Sequence, residues 1–177
     1  MKWMIASDIH GSAYYCRRLL ERYEKENAGR LLLLGDLLYH GPRNDLPEEY
    51  NPKAVSSLLN SVKSELLCVR GNCDAEVDQM MLNFPMMADY MVLDLGDKLL
   101  YATHGQIYNK EHLLPLKAGD ILLYGHTHIP ECTEQNGITI MNPGSVSIPK
   151  ADTSHGYMVL ENNHFLWKDL DGNDFRP

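Results

Sequence analysis

The sequence predicts a mixed α/β fold in which two packed β-sheets are flanked by helices. Residues 1–75 alternate short apolar runs with amphipathic segments, which is typical of parallel strands connected by helices. The remaining residues carry pairs of strand signals around turn dipeptides, which indicate hairpins. The chain has 177 residues, of which 44% are apolar and 23% charged, as in an ordinary globular protein. We therefore expect one domain over residues 1–177.

The first half of the chain predicts three buried strands and two helices. Residues 2–7, 31–34 and 66–69 are largely apolar runs that are too short for helices. Ser12 can cap a helix whose apolar side chains recur at helical spacing. Asn51-Pro52 is a start signal for a second helix. This alternation predicts a parallel sheet with right-handed crossovers.

The second half of the chain predicts a buried strand over residues 120–124 and three hairpins. The paired strands and their turns are residues 90–95 and 98–103 around Gly96-Asp97, residues 131–135 and 138–141 around Asn136-Gly137, and residues 156–161 and 164–169 around Asn162-Asn163. Asn-Gly is the strongest short-range hairpin signal, and the other two pairs also suit turns. Hairpins added to parallel strands make the predicted sheets mixed.

The charge balance and the hydropathy argue against two kinds of partner. The chain carries 24 acidic and 16 basic side chains, which gives a formal charge of −8. Because a negative field repels a phosphate backbone, we do not expect the protein to bind long nucleic acids. No apolar run reaches the ~18–20 residues that cross a membrane, so no membrane partner is expected either.

The cysteines and the N-terminus predict a reducing compartment. Cys16, Cys68, Cys73 and Cys132 form no C-x-x-C pair. The N-terminal segment becomes polar at Ser7, which is too early for a signal peptide. We therefore expect a cytoplasmic protein without disulfide bonds.

Polar side chains follow five of the predicted strands, at the point where each strand ends. In open α/β sheets, ligands bind beyond the carboxyl ends of the strands. The donors are oxygen and nitrogen atoms without a thiolate, a set that suits Mn, Fe, Co or Zn in a catalytic role. Seven donors are too many for one ion, so we expect two ions ~3.5–4 Å apart, bridged by a carboxylate. The candidate ligands are Asp8, His10, Asp36, Asn72, His104, His126 and His128.

These ligands lie in five short motifs with a characteristic order. The motifs are Asp8-Ile9-His10, Gly35-Asp36, Gly71-Asn72-Cys73-Asp74, His104 and Gly125-His126-Thr127-His128. The set resembles the calcineurin-like metallophosphoesterase superfamily, and the short chain is most similar to its small bacterial and archaeal phosphodiesterases, whose fold a retromer subunit shares. The resemblance implies a four-layer αββα sandwich of two mixed β-sheets flanked by helices. It also implies a phosphoric diester hydrolase that acts on a small phosphodiester.

The resemblance further implies how the ligands divide between two metal ions. One ion would be held by Asp8, His10, Asp36 and His128, and the other by Asp36, Asn72, His104 and His126. Asp36 would thus bridge the ions, and a hydroxide between them would attack phosphorus in line. The candidate catalytic residues are Asp36, Asn72, Cys73, Asp74 and His104, and Asn72 would also bind substrate. The implied cofactor is two divalent transition-metal ions, with Mn expected first and Zn, Fe, Co or Ni as alternatives.

Cys73 departs from the superfamily pattern, in which many members have a histidine that protonates the leaving group. A thiol with an ordinary pKa of ~8.5 is a poor proton donor to an alkoxide, and Asp74 lacks the imidazole that it would orient. We therefore expect weak activity on alkyl phosphomonoesters and better activity on diesters with good leaving groups. His40 and Arg43 follow the Asp36 loop; either they bind the substrate phosphate or replace the missing acid, or they lie in a solvated loop.

Other functions remain as alternatives to a phosphodiesterase. The same fold could serve as a non-catalytic, protein-binding scaffold, or the enzyme could be a phosphomonoesterase or a pyrophosphate hydrolase. All seven ligand positions hold competent donors, which favours an enzyme. The methionine-rich residues 79–87 either pack in the core or form an exposed patch through which the chain self-associates as a homo-oligomer.

Overall fold

Eleven strands and three helices make up the regular structure of the chain. The computed structural model describes residues 1–177. The helices are α1 (Ala13–Glu26), α2 (Pro52–Ser61) and α3 (Glu76–Gln79). The strands are β1 (Trp3–Ala6), β2 (Arg30–Leu33), β3 (Leu66–Cys68), β4 (Tyr90–Asp94), β5 (Leu99–Thr103), β6 (Ile121–Leu123), β7 (Glu131–Gln135), β8 (Ile138–Asn142), β9 (Gly156–Glu161), β10 (His164–Asp169) and β11 (Asp174–Phe175). Every predicted strand and both predicted helices are present, and α3 and β11 are additional.

The predicted capping residues explain where the two long helices begin. The hydroxyl of Ser12 accepts a hydrogen bond from the backbone N–H of Tyr15 (3.2 Å) at the start of α1. The side chain of Asn51 accepts one from the backbone N–H of Ala54 (3.1 Å) at the start of α2. Each bond satisfies an N–H that has no partner within its own helix, which stabilises the helix by about 0.5–2 kcal/mol.

The strands form two mixed sheets. The six-stranded sheet has the order β11-β10-β9-β1-β2-β3, and β1, β2 and β3 within it are parallel. The five-stranded sheet has the order β4-β5-β6-β8-β7, with antiparallel pairs at both edges. The predicted hairpins supply these edge pairs and the β9–β10 pair. In the turn between β7 and β8, Asn136 (φ 54°) and Gly137 (φ 77°) both have the left-handed backbone that a tight hairpin turn requires.

Alternating side chains on the strands separate two large apolar clusters. In β2, Leu31 and Leu33 pack in the cluster that includes residues of α1 and α2, whereas Leu32 belongs to the cluster between the two sheets. In β6, Ile121 and Leu123 contribute to that same inter-sheet cluster. Each leucine that is fully buried in this way contributes about 1.5–3 kcal/mol to stability. The two sheets are therefore held face to face by an apolar layer.

The outer faces of the two sheets are covered differently. The helices α1 and α2 cover the six-stranded sheet, whereas Leu113 and Leu116 from the irregular residues 104–120 pack against Tyr124 on the other side. Asn109 holds this segment in turns, because its side chain donates to the carbonyl of Gly105 and accepts from two nearby backbone N–H groups. The predicted sandwich of two mixed sheets is confirmed, and its fourth layer is this irregular segment. None of the helices has the length and apolar character needed to cross a membrane.

Candidate metal centre

The seven candidate ligands lie at one edge of the sandwich, where strands from both sheets end. The loops after β1, β2 and β3 of the six-stranded sheet carry Asp8, His10, Asp36 and Asn72. The loops after β5 and β6 of the five-stranded sheet carry His104, His126 and His128. The site is therefore assembled jointly by the two sheets.

Five of the seven candidate ligands have a left-handed backbone conformation. They are Asp8 (φ 62°), His10 (φ 49°), Asp36 (φ 55°), His126 (φ 64°) and His128 (φ 62°). This conformation costs a residue with a side chain about 1–3 kcal/mol, and it persists only where the surrounding structure enforces it. Such residues concentrate at functional sites, and here they turn the ligands sharply out of their strands.

Three of the four imidazoles are oriented by hydrogen bonds to backbone carbonyl groups. The Nδ1–H donors and their acceptors are His10 with Tyr39 (2.8 Å), His104 with Leu34 (2.6 Å) and His128 with Ile148 (2.6 Å). Each of these rings consequently directs its Nε2 atom toward the other candidate ligands. Backbone bonds of this kind fix the tautomer and orientation of histidine ligands in metal sites.

Asp8, His10 and His128 form the first group of donors. The Nε2 atoms of His10 and His128 are 3.2 Å apart, and Oδ1 of Asp8 lies 3.2 Å from Nε2 of His128 and 3.5 Å from Nε2 of His10. Asp8 is fully buried, and its Oδ1 atom has no hydrogen-bond donor. Two facing ring nitrogens and an orphaned buried carboxylate oxygen are costly unless a cation joins them. These residues therefore fit a divalent metal ion.

Asp36 lies between this first group and a second one, formed by Asn72, His104 and His126. Its Oδ2 atom is 3.6 Å from Nε2 of His10 and 3.3 Å from Nε2 of His104. The Nε2 atom of His104 is also 3.1 Å from Oδ1 of Asn72 and 3.3 Å from Nδ1 of His126. A carboxylate that reaches both groups has the position that a bridging ligand needs.

The two carboxylates dominate the electrostatics of the site. Burial alone would lower the pKa of His104, but its contact with Asp36 and the negative charges of Asp8 and Asp36 raise this pKa to about 9. Burial alone would raise the pKa of Asp8, but its contacts with His10 and His128 bring that pKa well below its ordinary range. The lowered pKa keeps Asp8 ionised at neutral pH, and its negative charge favours the binding of cations.

Asp74 is buried beneath the Asp36 loop instead of facing the site. Its Oδ2 atom accepts hydrogen bonds from the backbone N–H groups of Asp36 (2.8 Å) and Gly71 (2.7 Å), and its Oδ1 atom accepts one from Leu37 (3.0 Å). The two loops touch so closely that a Cβ atom at Gly71 would lie 2.0 Å from Oδ1 of Asp36. Asp74 therefore holds the Asp36 loop from beneath and does not line the cavity over the candidate ligands, while its catalytic role stays a prediction.

Cys73 lies at the rim of the site, where it is partly exposed. Its backbone N–H donates to Oδ1 of Asp36 (2.8 Å), and the side-chain amide of Asn72 donates to its Sγ atom (3.3 Å). Burial, together with the nearby charge of Asp36, raises the pKa of the thiol to about 12. The thiol therefore stays protonated at neutral pH and is a weaker acid than free cysteine.

A cavity of about 360 Å³ opens at the candidate ligands, and Asn72, one of the three residues predicted to bind substrate, lines it. Arg43 lines this cavity, whereas His40 does not. The ring of His40 packs edge-on against Tyr39 and Tyr50, with ring centroids 4.8 and 5.1 Å apart. The geometry therefore allows Arg43 to contact a substrate and directs the His40 ring into an aromatic cluster.

Lys150 is a cavity residue that the sequence analysis did not identify. Its side chain is exposed, and it lines the same cavity as Arg43. Its backbone N–H donates to the carbonyl of His128 (3.2 Å), which places it beside the first group of donors. Neither Arg43 nor Lys150 forms an ion pair within the protein. The only sequence signal for Lys150 is its place shortly after a Pro-Gly turn, which is a weak one.

Known proteins resemble this chain in both sequence and fold. Residues 1–164 match the calcineurin-like phosphoesterase superfamily domain. Over 163 residues, the chain is 47% identical to phosphodiesterase YfcE of Escherichia coli strain K12, which covers 92% of this chain and 89% of that protein. A solved structure of Yfce, a phosphoesterase from E. coli, has a TM-score of 0.96 at 45% identity and covers 99% of this chain and 97% of that one. Vps29 of Entamoeba histolytica, solved with zinc, shares the fold with a TM-score of 0.66 at 22% identity, covering 99% and 96%.

Proposed function

The chain belongs to the calcineurin-like phosphoesterase superfamily, and on that premise we propose that it hydrolyses phosphodiester bonds at a two-metal site by in-line attack of water. The observation that carries the proposal is the face-to-face placement of the Nε2 atoms of His10 and His128 beside the unpartnered Oδ1 atom of Asp8. The name of the relative YfcE, a phosphodiesterase, supports diesters as the substrate class.

The donor set supports two divalent transition-metal ions as the cofactor. When bound, such ions lower the pKa of a water molecule and offset the negative charge that develops on the phosphoryl oxygens. One ion would be held by Asp8, His10 and His128 and the other by Asn72, His104 and His126, with Asp36 shared between them. Mixed oxygen and imidazole donors suit Mn, and also Zn, Fe, Co or Ni.

The chain's own residues would hold the phosphate and select the leaving group. Arg43 and Lys150 line the cavity without ion-pair partners, so their charges are available to phosphoryl oxygens. The protonated thiol of Cys73 is a poor acid, so ester groups that depart without protonation should react best. Alkyl phosphomonoesters, whose alkoxides need a proton, should therefore be hydrolysed slowly. The four free cysteines support a reducing, cytoplasmic location as part of the same proposal.

Hydrolysis of bis(4-nitrophenyl) phosphate by metal-stripped protein, with Mn²⁺ added back, tests the proposal. We expect turnover that depends on the metal and that falls by about 100-fold in Asp36→Asn, because the shared carboxylate is lost. The control is Asp45→Asn, which removes an exposed carboxylate from the following loop and should keep full activity. Faster turnover of 4-nitrophenyl phosphate or of pyrophosphate would instead favour one of the other hydrolases. Absence of turnover with metal bound would favour the protein-binding scaffold.

A further inference from the structure

A second cavity lies beside the metal centre and shares Cys73 with the cavity described above. It has a volume of about 490 Å³, and seven of its ten lining residues are apolar or aromatic. We call it the apolar groove, and the residues that define it here are Leu38, Tyr39, Tyr50, Cys73, Val77 and Met81. The cavity over the metal ligands is by contrast lined almost entirely by polar side chains. A polar and an apolar compartment thus meet at Cys73.

Both walls of the apolar groove continue into the loops that hold the metal ligands. On one side, a Cβ atom at Gly11 would lie 2.5 Å from Cε2 of Tyr50, so the tyrosine ring rests on the backbone next to His10. On the other side, Val77 and Met81 belong to the segment that directly follows Asp74. The groove is therefore built by the same elements as the metal centre and has a fixed position relative to it.

The groove exposes several large apolar side chains next to one another, which is unusual on the surface of a soluble domain. Val77 is 62% exposed, Met81 46% and Tyr39 42%. A preformed concave surface of this size, lined by apolar and aromatic groups, suits a small organic ligand. Two tyrosine rings add a preference for an aromatic ligand over an aliphatic one, since aromatic pairs attract each other beyond the effect of the area that they bury.

We propose that the apolar groove binds one aromatic ester group of the phosphodiester while the metal centre holds its phosphate. This inference rests on the proposed function, because it names the substrate class for the same site. Three polar residues line the groove, namely Cys73, Lys53 and Asp78. The Oδ2 atom of Asp78 accepts the backbone N–H of Ala75 (2.9 Å), so part of its hydrogen-bonding capacity is used within the protein. The enzyme thereby selects diesters with at least one flat, apolar substituent.

A double variant of the groove wall provides the kinetic test. Val77→Ser combined with Met81→Ser should raise the KM for bis(4-nitrophenyl) phosphate by roughly tenfold, with kcat within about twofold of the wild type. The control is Met80→Ser, because Met80 lies in the same segment, is 82% exposed and does not line the groove. Since Val77 and Met81 are exposed, thermal unfolding of the double variant should stay close to that of the wild type. An unchanged KM would overturn the proposal.

A binding measurement separates failure of the groove from failure of the proposed function. In Zn²⁺-loaded protein with ¹³C-labelled methionine methyl groups, titration with 4-nitrophenol should shift the Met81 signal several-fold more than the Met80 signal. This titration needs no turnover, so it tests the groove even if no diester is hydrolysed. A Met81 signal that does not move would overturn the proposal. Sedimentation showing a dimer that the double variant dissociates would also overturn it, because a second copy would then occupy the groove.

Discussion

The carboxylate of Asp74 organises the backbone beneath the metal centre, and Asp74→Asn tests this positioning role. The residue is 3% exposed, and its two oxygens accept three backbone N–H groups, two at Oδ2 and one at Oδ1. Asparagine presents one oxygen and one NH₂ group. With its oxygen at the Oδ2 position, it retains the bonds from Asp36 and Gly71, but its NH₂ group then faces the N–H of Leu37.

The magnitude of the effect follows from this count of bonds. A buried N–H that loses its acceptor costs ~1–3 kcal/mol, and the two remaining bonds lose their charge assistance, at ~0.5–1 kcal/mol each. We expect Asp74→Asn to lower the free energy of unfolding by about 2–5 kcal/mol. Because the loop that carries Asp36 is released, we also expect the affinity for Mn²⁺ to fall by about 10–100-fold.

Urea unfolding followed by circular dichroism measures the first effect, and titration calorimetry with Mn²⁺ measures the second. Asp78→Asn is the matched control, because its Oδ2 atom accepts a single backbone N–H, from Ala75, which an amide oxygen can retain. Its stability should stay within ~0.5 kcal/mol of the wild type. If Asp74→Asn had the stability and the metal affinity of Asp78→Asn, Asp74 would not hold the Asp36 loop in place.

Two further predictions concern a buried carboxylate and the substrate cavity. Burial alone would raise the pKa of Glu26, but hydrogen bonds from Lys2 and Lys168 lower it to about 2. The ionised form of Glu26 therefore stabilises the fold above the ordinary pKa of ~4.5. This contribution to stability is lost as the pH falls toward 2. Glu26→Gln should therefore lower the free energy of unfolding by about 2 kcal/mol at pH 7 and by much less near pH 2. Denaturant titrations at the two pH values measure this difference. An equal loss of stability at both pH values would contradict the ion pairs. Arg43→Gln should reduce kcat/KM for bis(4-nitrophenyl) phosphate by roughly tenfold, whereas His40→Gln should change it by less than about twofold, and equal losses would contradict the different placement of the two side chains.

The positions of the strands and turns could be predicted because they depend on local chemistry. The leucine run at 31–34 is too short and too apolar for anything but a buried strand, and Asn136-Gly137 supplies the two left-handed residues of a hairpin turn. The order of strands could not be predicted in this way. The pairing of Met4 in β1 with Val159 in β9 joins distant parts of the chain and depends on the packing of the whole sandwich.

The site shows the same division between local and long-range information. Strand ends carry Asp8, Asp36 and the other candidate ligands, and the fold brings them together as the strand-end rule predicts. Neighbouring residues in one motif nevertheless point in different directions, since Cys73 faces the cavity while Asp74 turns beneath it. Residue types and spacing do not determine such loop conformations. For the same reason, Lys150 could not be predicted as a cavity residue, because its position depends on how the loop before β9 packs.

The 3.2 Å contact between His10 and His128 spans the two sheets, because the two residues follow strands of different sheets. The apolar layer between the sheets, with residues such as Ile5 and Met158, therefore also sets the spacing of the candidate ligands. Leu19 of α1 lies in the other large cluster, so we expect a change there to affect stability and to leave that spacing intact. Apolar substitutions should accordingly accumulate more easily beneath the helices than between the sheets, where the volume of each side chain also affects the distances between the candidate ligands.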